Sequence, residues 1–220
     1  NHNLLDKVSA SSINSIILGI GGATWKEIKI ALEILKNKEV VLLVGFQGYP
    51  TKIKDNLISR LSIISEKAKT VHKNFTIGFA AHPENSELNS LVSLVAIGAG
   101  AVCLERHLTL GKVMKLEDYE SALNPDEFLI YVNQVKRSFQ ALGNAGNYDL
   151  SHAEKKYRNA IRRDVVASKA LKKGIKLSAQ HLDLKRTSNK RGIKKLEDVY
   201  GKILEKNLNK NDILLKSYLK

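Results

Sequence analysis

Short runs of β-branched and aliphatic residues alternate with longer stretches in which apolar positions recur every three or four residues, and this alternation repeats four times between residues 16 and 142. The runs Ile16 to Ile20, Val40 to Gly45, Phe75 to Ala80 and Ala101 to Glu105 are almost continuously apolar, as parallel strands covered on both faces should be. A helix is predicted after each. Thr24 with Glu27 reads as a capping box for the first, and Asn124-Pro125 with Glu127 gives the last an N-cap, a proline at N1 and an acid at N3. The strands recur every roughly 25 to 35 residues, the size of a β/α unit. Four such units make half of an eightfold (β/α) barrel or a small doubly wound sheet, and periodicity alone does not separate the two. Both folds place chemistry at the carboxyl edge of the strands. That edge receives Gly21-Gly22, the segment Gln47 to Thr51, His82, and Glu105 with His107.

The pattern stops after residue 143. Gly143-Asn144-Ala145-Gly146-Asn147 reads as a linker that continues through a polar Lys/Arg-rich stretch, giving the expected division 1–143, 144–160 and 161–220. The last part combines a short strand at Val165 to Ala167, a turn at Lys172-Lys173-Gly174, a helical start at Ser178 with His181, and a turn at Val199-Tyr200-Gly201. It reads as a small β-rich domain. Charge changes at the same boundary: residues 151–220 hold 20 Lys/Arg against 7 Asp/Glu, a net +13, whereas the first 150 residues hold 16 against 15. A basic surface of this kind serves nucleic acid, an anionic small molecule, or solubility alone. Only Tyr157, Tyr200 and Tyr218 are aromatic after residue 150, which makes a poor set of platforms for stacked bases, so no nucleic-acid partner is expected. The single cysteine, Cys103, permits no intrachain disulfide and suits a reducing, cytoplasmic setting. No apolar run approaches the roughly 20 residues that span a bilayer, and the first residues do not read as a secretory leader. No membrane partner is expected. A chain that opens on Asn1 is expected to be a truncated piece of a longer one.

Two histidines fall at the ends of adjacent strands. His82 and His107 are placed to converge on one divalent ion, with a carboxylate or water completing the shell, although a histidine at a strand end is also commonly just a satisfied hydrogen-bonding residue. Glu105, two residues before His107, points to the same side of its strand; an acid buried there needs a partner, as a ligand or as a positioner of substrate hydroxyls. The loop Gly19-Ile20-Gly21-Gly22 lacks the spacing of a phosphate-binding fingerprint and reads first as a tight turn. Arg162-Arg163 is a basic pair able to hold a carboxylate, phosphate or acyl oxygen.

These stretches, in this order, resemble the sialic acid synthase (N-acetylneuraminate synthase) family across essentially the whole chain. The resemblance is carried by Gly21-Gly22-Ala23-Thr24 with Glu27-Ile28, Tyr49-Pro50-Thr51, Ile77 to His82, Glu105-Arg106-His107-Leu108-Thr109-Leu110, Asp118, Leu123 to Phe128, and Arg162 to Lys169 with Lys173-Gly174. It implies the C-terminal half of a TIM (β/α)₈ barrel followed by a small β-rich antifreeze-like (SAF, β-clip) domain, in a domain-swapped homodimer whose small domains cover the partners' barrels. His82 and His107 are implied to bind Mn²⁺ or Mg²⁺, Glu105 and Asp118 to act catalytically on the sugar and the attacking water. Gln47 and Tyr49 are implied to lie near the phosphate of phosphoenolpyruvate, and Arg162 or Arg163 to reach the substrate's N-acyl group. The implied reaction condenses phosphoenolpyruvate with an N-acylhexosamine of the N-acetylmannosamine type, releasing phosphate by C–O cleavage. The chain departs from the family at Ala80-Ala81, where Ser-Asp is usual, at Gly19-Ile20, and at Tyr119 in place of His. Those changes fit an altered-substrate or non-catalytic relative that binds metal and anionic sugars. A half barrel, with strand edges unpaired, is expected to be inactive alone.

Overall fold

In the computed structural model, which describes residues 1–83, 88–143, 146, 149–187 and 191–220, the apolar runs become the strands β1 (Ser15–Gly19), β2 (Glu39–Val44), β3 (Phe75–Ala80) and β4 (Cys103–Glu105). They form one parallel sheet in the order β1-β2-β3-β4, in register Ile16 on Val40, Val40 on Phe75 and Gly78 on Cys103. Helices α2 (Trp25–Ile34), α3 (Arg60–Lys69), α4 (Leu88–Gly98) and α5 (Pro125–Leu142) follow the strands in turn, so the sheet is a half barrel of β/α units. The two central strands are covered on both faces, whereas β1 alternates between exposed and half-buried positions. Leu32, Leu35, Leu42, Leu61 and Phe79 are sealed from solvent in the core between sheet and helices. Burying side chains of this size stabilises by roughly 1.5–3 kcal/mol each, which is what holds the strand ends in place for chemistry.

Local signals explain the helix starts. Thr24 and Glu27 form the expected capping box on α2, with Glu27 accepting from the Thr24 N–H at 2.7 Å. On α5 Glu127 accepts from the Asn124 N–H at 2.8 Å, and Asn124 Oδ1 turns outward to accept from the Lys112 N–H at 3.0 Å. The sequence pattern did not anticipate α1 (His2–Ala10), capped by the Asn1 side chain and tied to the next layer by Ser9, which donates to the Ile34 carbonyl at 2.8 Å.

The chain divides into two compact units, Asn1–Ala145 and Gly146–Lys220. Of the expected Gly143 to Asn147 linker, residues 144, 145 and 147 lie outside the described residues. The polar stretch beyond it is helix α6 (His152–Ile161), because Ser151 and Glu154 form a complete capping box there. The rest of the second unit pairs β5 (Arg163–Ala167) with β6 (Leu182–Arg186) antiparallel and adds single bridges such as Leu171 to Leu208 and Leu204 to Leu219. Val165, Leu177, Leu204 and Leu214 form its own core. Gly174 and Gly201 sit in turns at φ +89° and +78°, conformations that favour glycine.

A buried ion pair anchors this unit. Asp164, 1% exposed, accepts from Lys194 Nζ and from Thr187 Oγ1, and Gly192 lies so close that a Cβ there would stand 2.2 Å from the carboxylate oxygen. Lys194→Met leaves that carboxylate without its cation and should destabilise the second unit by roughly 3 kcal/mol. Urea unfolding of the variant against the parent reads this directly; unchanged stability would mean that the pair contributes nothing. No helix among the described residues is long and apolar enough to cross a membrane.

Candidate metal centre

The carboxyl ends of β2, β3 and β4 bring together most of the residues the sequence singled out. His82 follows β3 by two residues and is 1% exposed. Its backbone carbonyl accepts from the Thr51 N–H at 2.6 Å and from Ser121 Oγ at 3.4 Å. Its ring Nδ1 lies 3.2 Å from the Phe46 carbonyl oxygen. A carbonyl only accepts, so Nδ1 carries the proton and Nε2 keeps its lone pair. Burial lowers the pKa of this imidazole, with the proximity of His107 acting in the same direction, so the neutral form is favoured.

His82 Nε2 is buried and has no hydrogen-bond partner among the described residues. It faces Glu105, whose carboxylate oxygen is 3.7 Å away, and ligand atoms of His82, Glu105 and His107 lie within 4.8 Å of one another. The buried His72 shows the contrast, because its Nε2 lies 3.1 Å from the Leu35 carbonyl and is satisfied within the protein. Two imidazole nitrogens and a carboxylate oxygen are a donor set suited to a divalent ion. An orphaned buried nitrogen aimed at that set is what such a site requires, and these three residues can hold a metal.

Strand pairing sets the geometry. Ala80 is opposite Glu105, and the Ala81 N–H donates to the Glu105 carbonyl at 3.2 Å. Glu105 and His107 share one side of the chain, while Arg106 turns the other way and donates to the Ala81 carbonyl. Burial pushes the Arg106 pKa down to about 10, still well above neutrality. His107 is held through its backbone, since Leu123 N–H donates to the His107 carbonyl at 2.9 Å and Thr109 N–H to the Leu123 carbonyl at 3.0 Å. Asp118, at φ +56°, puts a carboxylate oxygen 3.6 Å from His107 Nδ1. Glu105 differs from the buried acid expected: 48% of its side chain is exposed, because β4 pairs with β3 alone and the end of the strand is open on its other side.

The ring of Tyr49 lies 4.6 Å from that of His82 and 5.4 Å from that of His107, centroid to centroid. Its hydroxyl donates to Gln47 Oε1 at 2.7 Å. Burial raises the phenol pKa, and the negative charges of Asp118 and Glu105 raise it further, so Tyr49 stays a donor. Arg162 and Arg163 stand in the second unit, exposed, at the junction of α6 and β5. The sequence reading missed the part played by Phe46, which contributes a backbone carbonyl that no side-chain pattern reveals. Thr51 stands in the Tyr-Pro-Thr motif, but its contribution to the site is also a backbone group, the N–H that holds the His82 carbonyl.

The sequence profile of the NeuB family matches residues 1–147 of this site-bearing unit and its first neighbours. The chain belongs to the NeuB family. It is similar to the N,N'-diacetyllegionaminic acid synthase of Campylobacter jejuni, 29% identical over 204 residues that cover 90% of this chain and 58% of that protein. To a pseudaminic acid synthase of the same species it is 31% identical, over 90% of this chain and 55% of that one. Among solved structures, the N-acetylneuraminic acid (sialic acid) synthetase of Leptospira borgpetersenii in complex with citrate superposes with a TM-score of 0.63 at 27% identity, over 74% of this chain and 55% of that chain. A spore coat polysaccharide biosynthesis protein E from Chromobacterium violaceum covers the whole of this chain with a TM-score of 0.78 at 16% identity, a likeness of fold. This NeuB-family chain therefore spans less than two thirds of the length of these relatives.

Proposed function

We propose that this chain is the C-terminal half-barrel and antifreeze-like cap of an enzyme that condenses phosphoenolpyruvate with an N-acylhexosamine, giving a nine-carbon 2-keto sugar acid and phosphate. The observation that carries the reading is the cluster of His82, Glu105 and His107, with its orphaned nitrogen, at the carboxyl edge of a NeuB-family sheet. The names of the relatives, synthases of N,N'-diacetyllegionaminic and pseudaminic acids and a synthetase of N-acetylneuraminic acid, support the class of product.

His82 and His107 would hold Mn²⁺ or Mg²⁺ with Glu105 beside them; when bound, the ion supplies Lewis-acid polarisation of the sugar aldehyde. The protein's own residues do the rest. Phe46 and Asp118 orient the two imidazoles, as carbonyl and carboxylate partners of metal-ligating histidines generally do. Tyr49, kept protonated, donates a hydrogen bond to an anionic oxygen of phosphoenolpyruvate, with Gln47 fixing its hydroxyl. Glu105, half-exposed beside the imidazoles, accepts from a sugar hydroxyl or from the water that adds to the condensed intermediate. Arg163, or Arg162, approaches the N-acyl group from the partner subunit of a homodimer. The basic second unit raises the local concentration of anionic substrate and product.

Ala80 and Ala81 favour a second reading. Both are buried and neither offers a hydroxyl to phosphate, so a relative that binds metal and anionic sugars without turnover has an observation behind it. Phosphate release from phosphoenolpyruvate, measured on the full-length protein with Mn²⁺ and a panel of N-acylhexosamines, separates the two. Sugar-dependent release establishes the synthase; a folded protein that binds Mn²⁺ and releases none with any sugar is the non-catalytic relative.

A further inference from the structure

A concavity of the first unit shares Phe46 and the Gly21-Gly22 turn with the elements already described, but none of His82, Glu105 and His107. It is a cleft of about 790 Å³ between α2 and α3, closed at one end by the turn after β1 and by the segment around Leu57. One face of α3 supplies much of its wall: Arg60, Ile63, Ile64 and Lys67 follow one another at helical spacing, so two cations bracket two isoleucines. Trp25 of α2 stands opposite, with Lys67 Nζ 5.5 Å from its ring centroid. Phe46, Leu57 and Ile63 keep 53%, 44% and 55% of their surface exposed although they line a hollow.

An apolar concavity left open to water is the usual form of a small-molecule site, and its few polar groups state which ligand it prefers. Those groups here are the charged Arg60, Lys67 and Asp55 and the amide of Asn56. No carboxylate lies within ion-pairing distance of Arg60 or Lys67 among the described residues, and Asp55 is the single acid of the lining, so the cleft carries a net positive charge beside an aromatic wall. We propose that this cleft is a second binding site, separate from the His82 cluster, for a small molecule with a flat apolar body and an anionic group. The body packs between Trp25 and the isoleucines of α3, and the anion pairs with Arg60 and Lys67.

The test uses 8-anilinonaphthalene-1-sulfonate and its uncharged counterpart N-phenyl-1-naphthylamine, titrated against the full-length protein. The signal read is energy transfer from Trp25, taken as the part lost in Trp25→Phe. The sulfonate should bind saturably and roughly tenfold more tightly than the amine, the sum expected of two solvent-accessible charge pairs. Arg60→Gln with Lys67→Gln should abolish that preference. Both side chains are exposed, so the double variant keeps its fold. Equal binding of the two probes, a preference that survives the double variant, or no Trp25-dependent transfer would each overturn the proposal.

Discussion

Replacing His82 by asparagine should abolish divalent-metal binding while leaving the fold in place. The asparagine amide can still donate to the Phe46 carbonyl, which now accepts from His82 Nδ1 at 3.2 Å, but nothing replaces Nε2. The substitution therefore removes the orphaned nitrogen alone. Losing one of two imidazole ligands should weaken Mn²⁺ binding by at least about 100-fold, since even outer partners of metal ligands cost 10- to 100-fold when removed. Electron paramagnetic resonance of free Mn²⁺, titrated against the full-length parent and variant, reads the change, with thermal unfolding as the control for folding. The parallel His72→Asn variant sets the baseline, because His72 is buried but satisfied by the Leu35 carbonyl. If His82→Asn binds Mn²⁺ as the parent does, the cluster is not a metal centre.

The sequence made the β/α succession legible because buried parallel strands have few polar residues to interrupt them. Val40 to Gly45 and Phe75 to Ala80 fall within one residue of β2 and β3, and these are the two strands covered on both faces. The less buried β4 begins two residues later than its apolar run, at Cys103. Helices were legible where a cap announced them, as at Thr24 and Asn124. At α6 the cap was present in Ser151 and Glu154 and Ala153, Tyr157 and Ile161 recur at helical spacing, but a segment so rich in lysine and arginine, with no buried residue, reads as a polar linker. In the site, the convergence of His82 and His107 followed from their positions after neighbouring strands. The choice of ring nitrogen did not, because it is made by the Phe46 backbone, and the exposure of Glu105 depends on which strand edges are paired. Asp118 was foreseen as a substrate contact, whereas the geometry sets it against His107, through a left-handed backbone that its residue type only permits.

The glycines after β1 give the second large expected effect, and they separate two explanations of the same motif. The glycine-rich loop Gly19 to Gly22 reads in the sequence as an ordinary tight turn, yet the structure assigns its glycines different tasks. At Gly19 an added Cβ would meet nothing within 4 Å. At Gly21 it would stand 2.1 Å from the Gly45 carbonyl oxygen and 3.2 Å from Gln47 Cγ. Gly45 is itself crowded, since a Cβ there would lie 2.6 Å from the Ala80 carbonyl oxygen. The ends of β1, β2 and β3 thus approach one another backbone to backbone, and Gly21→Ala must push Gly45 and its neighbour Phe46 away from their places. Forced overpacking of this kind, with backbone rather than a flexible side chain as the obstacle, should cost roughly 2–4 kcal/mol. Gly19→Ala should stay within about 0.5 kcal/mol of the parent, because nothing has to move. Urea unfolding of the two variants of the full-length protein, each paired with a Mn²⁺ titration, measures both consequences. Because Phe46 orients His82, the strain in Gly21→Ala should also weaken Mn²⁺ binding, and Gly19→Ala should not. Equal stability of the two variants would show that Gly21 is an ordinary turn residue and that the close approach of the strands is not what holds the metal centre together.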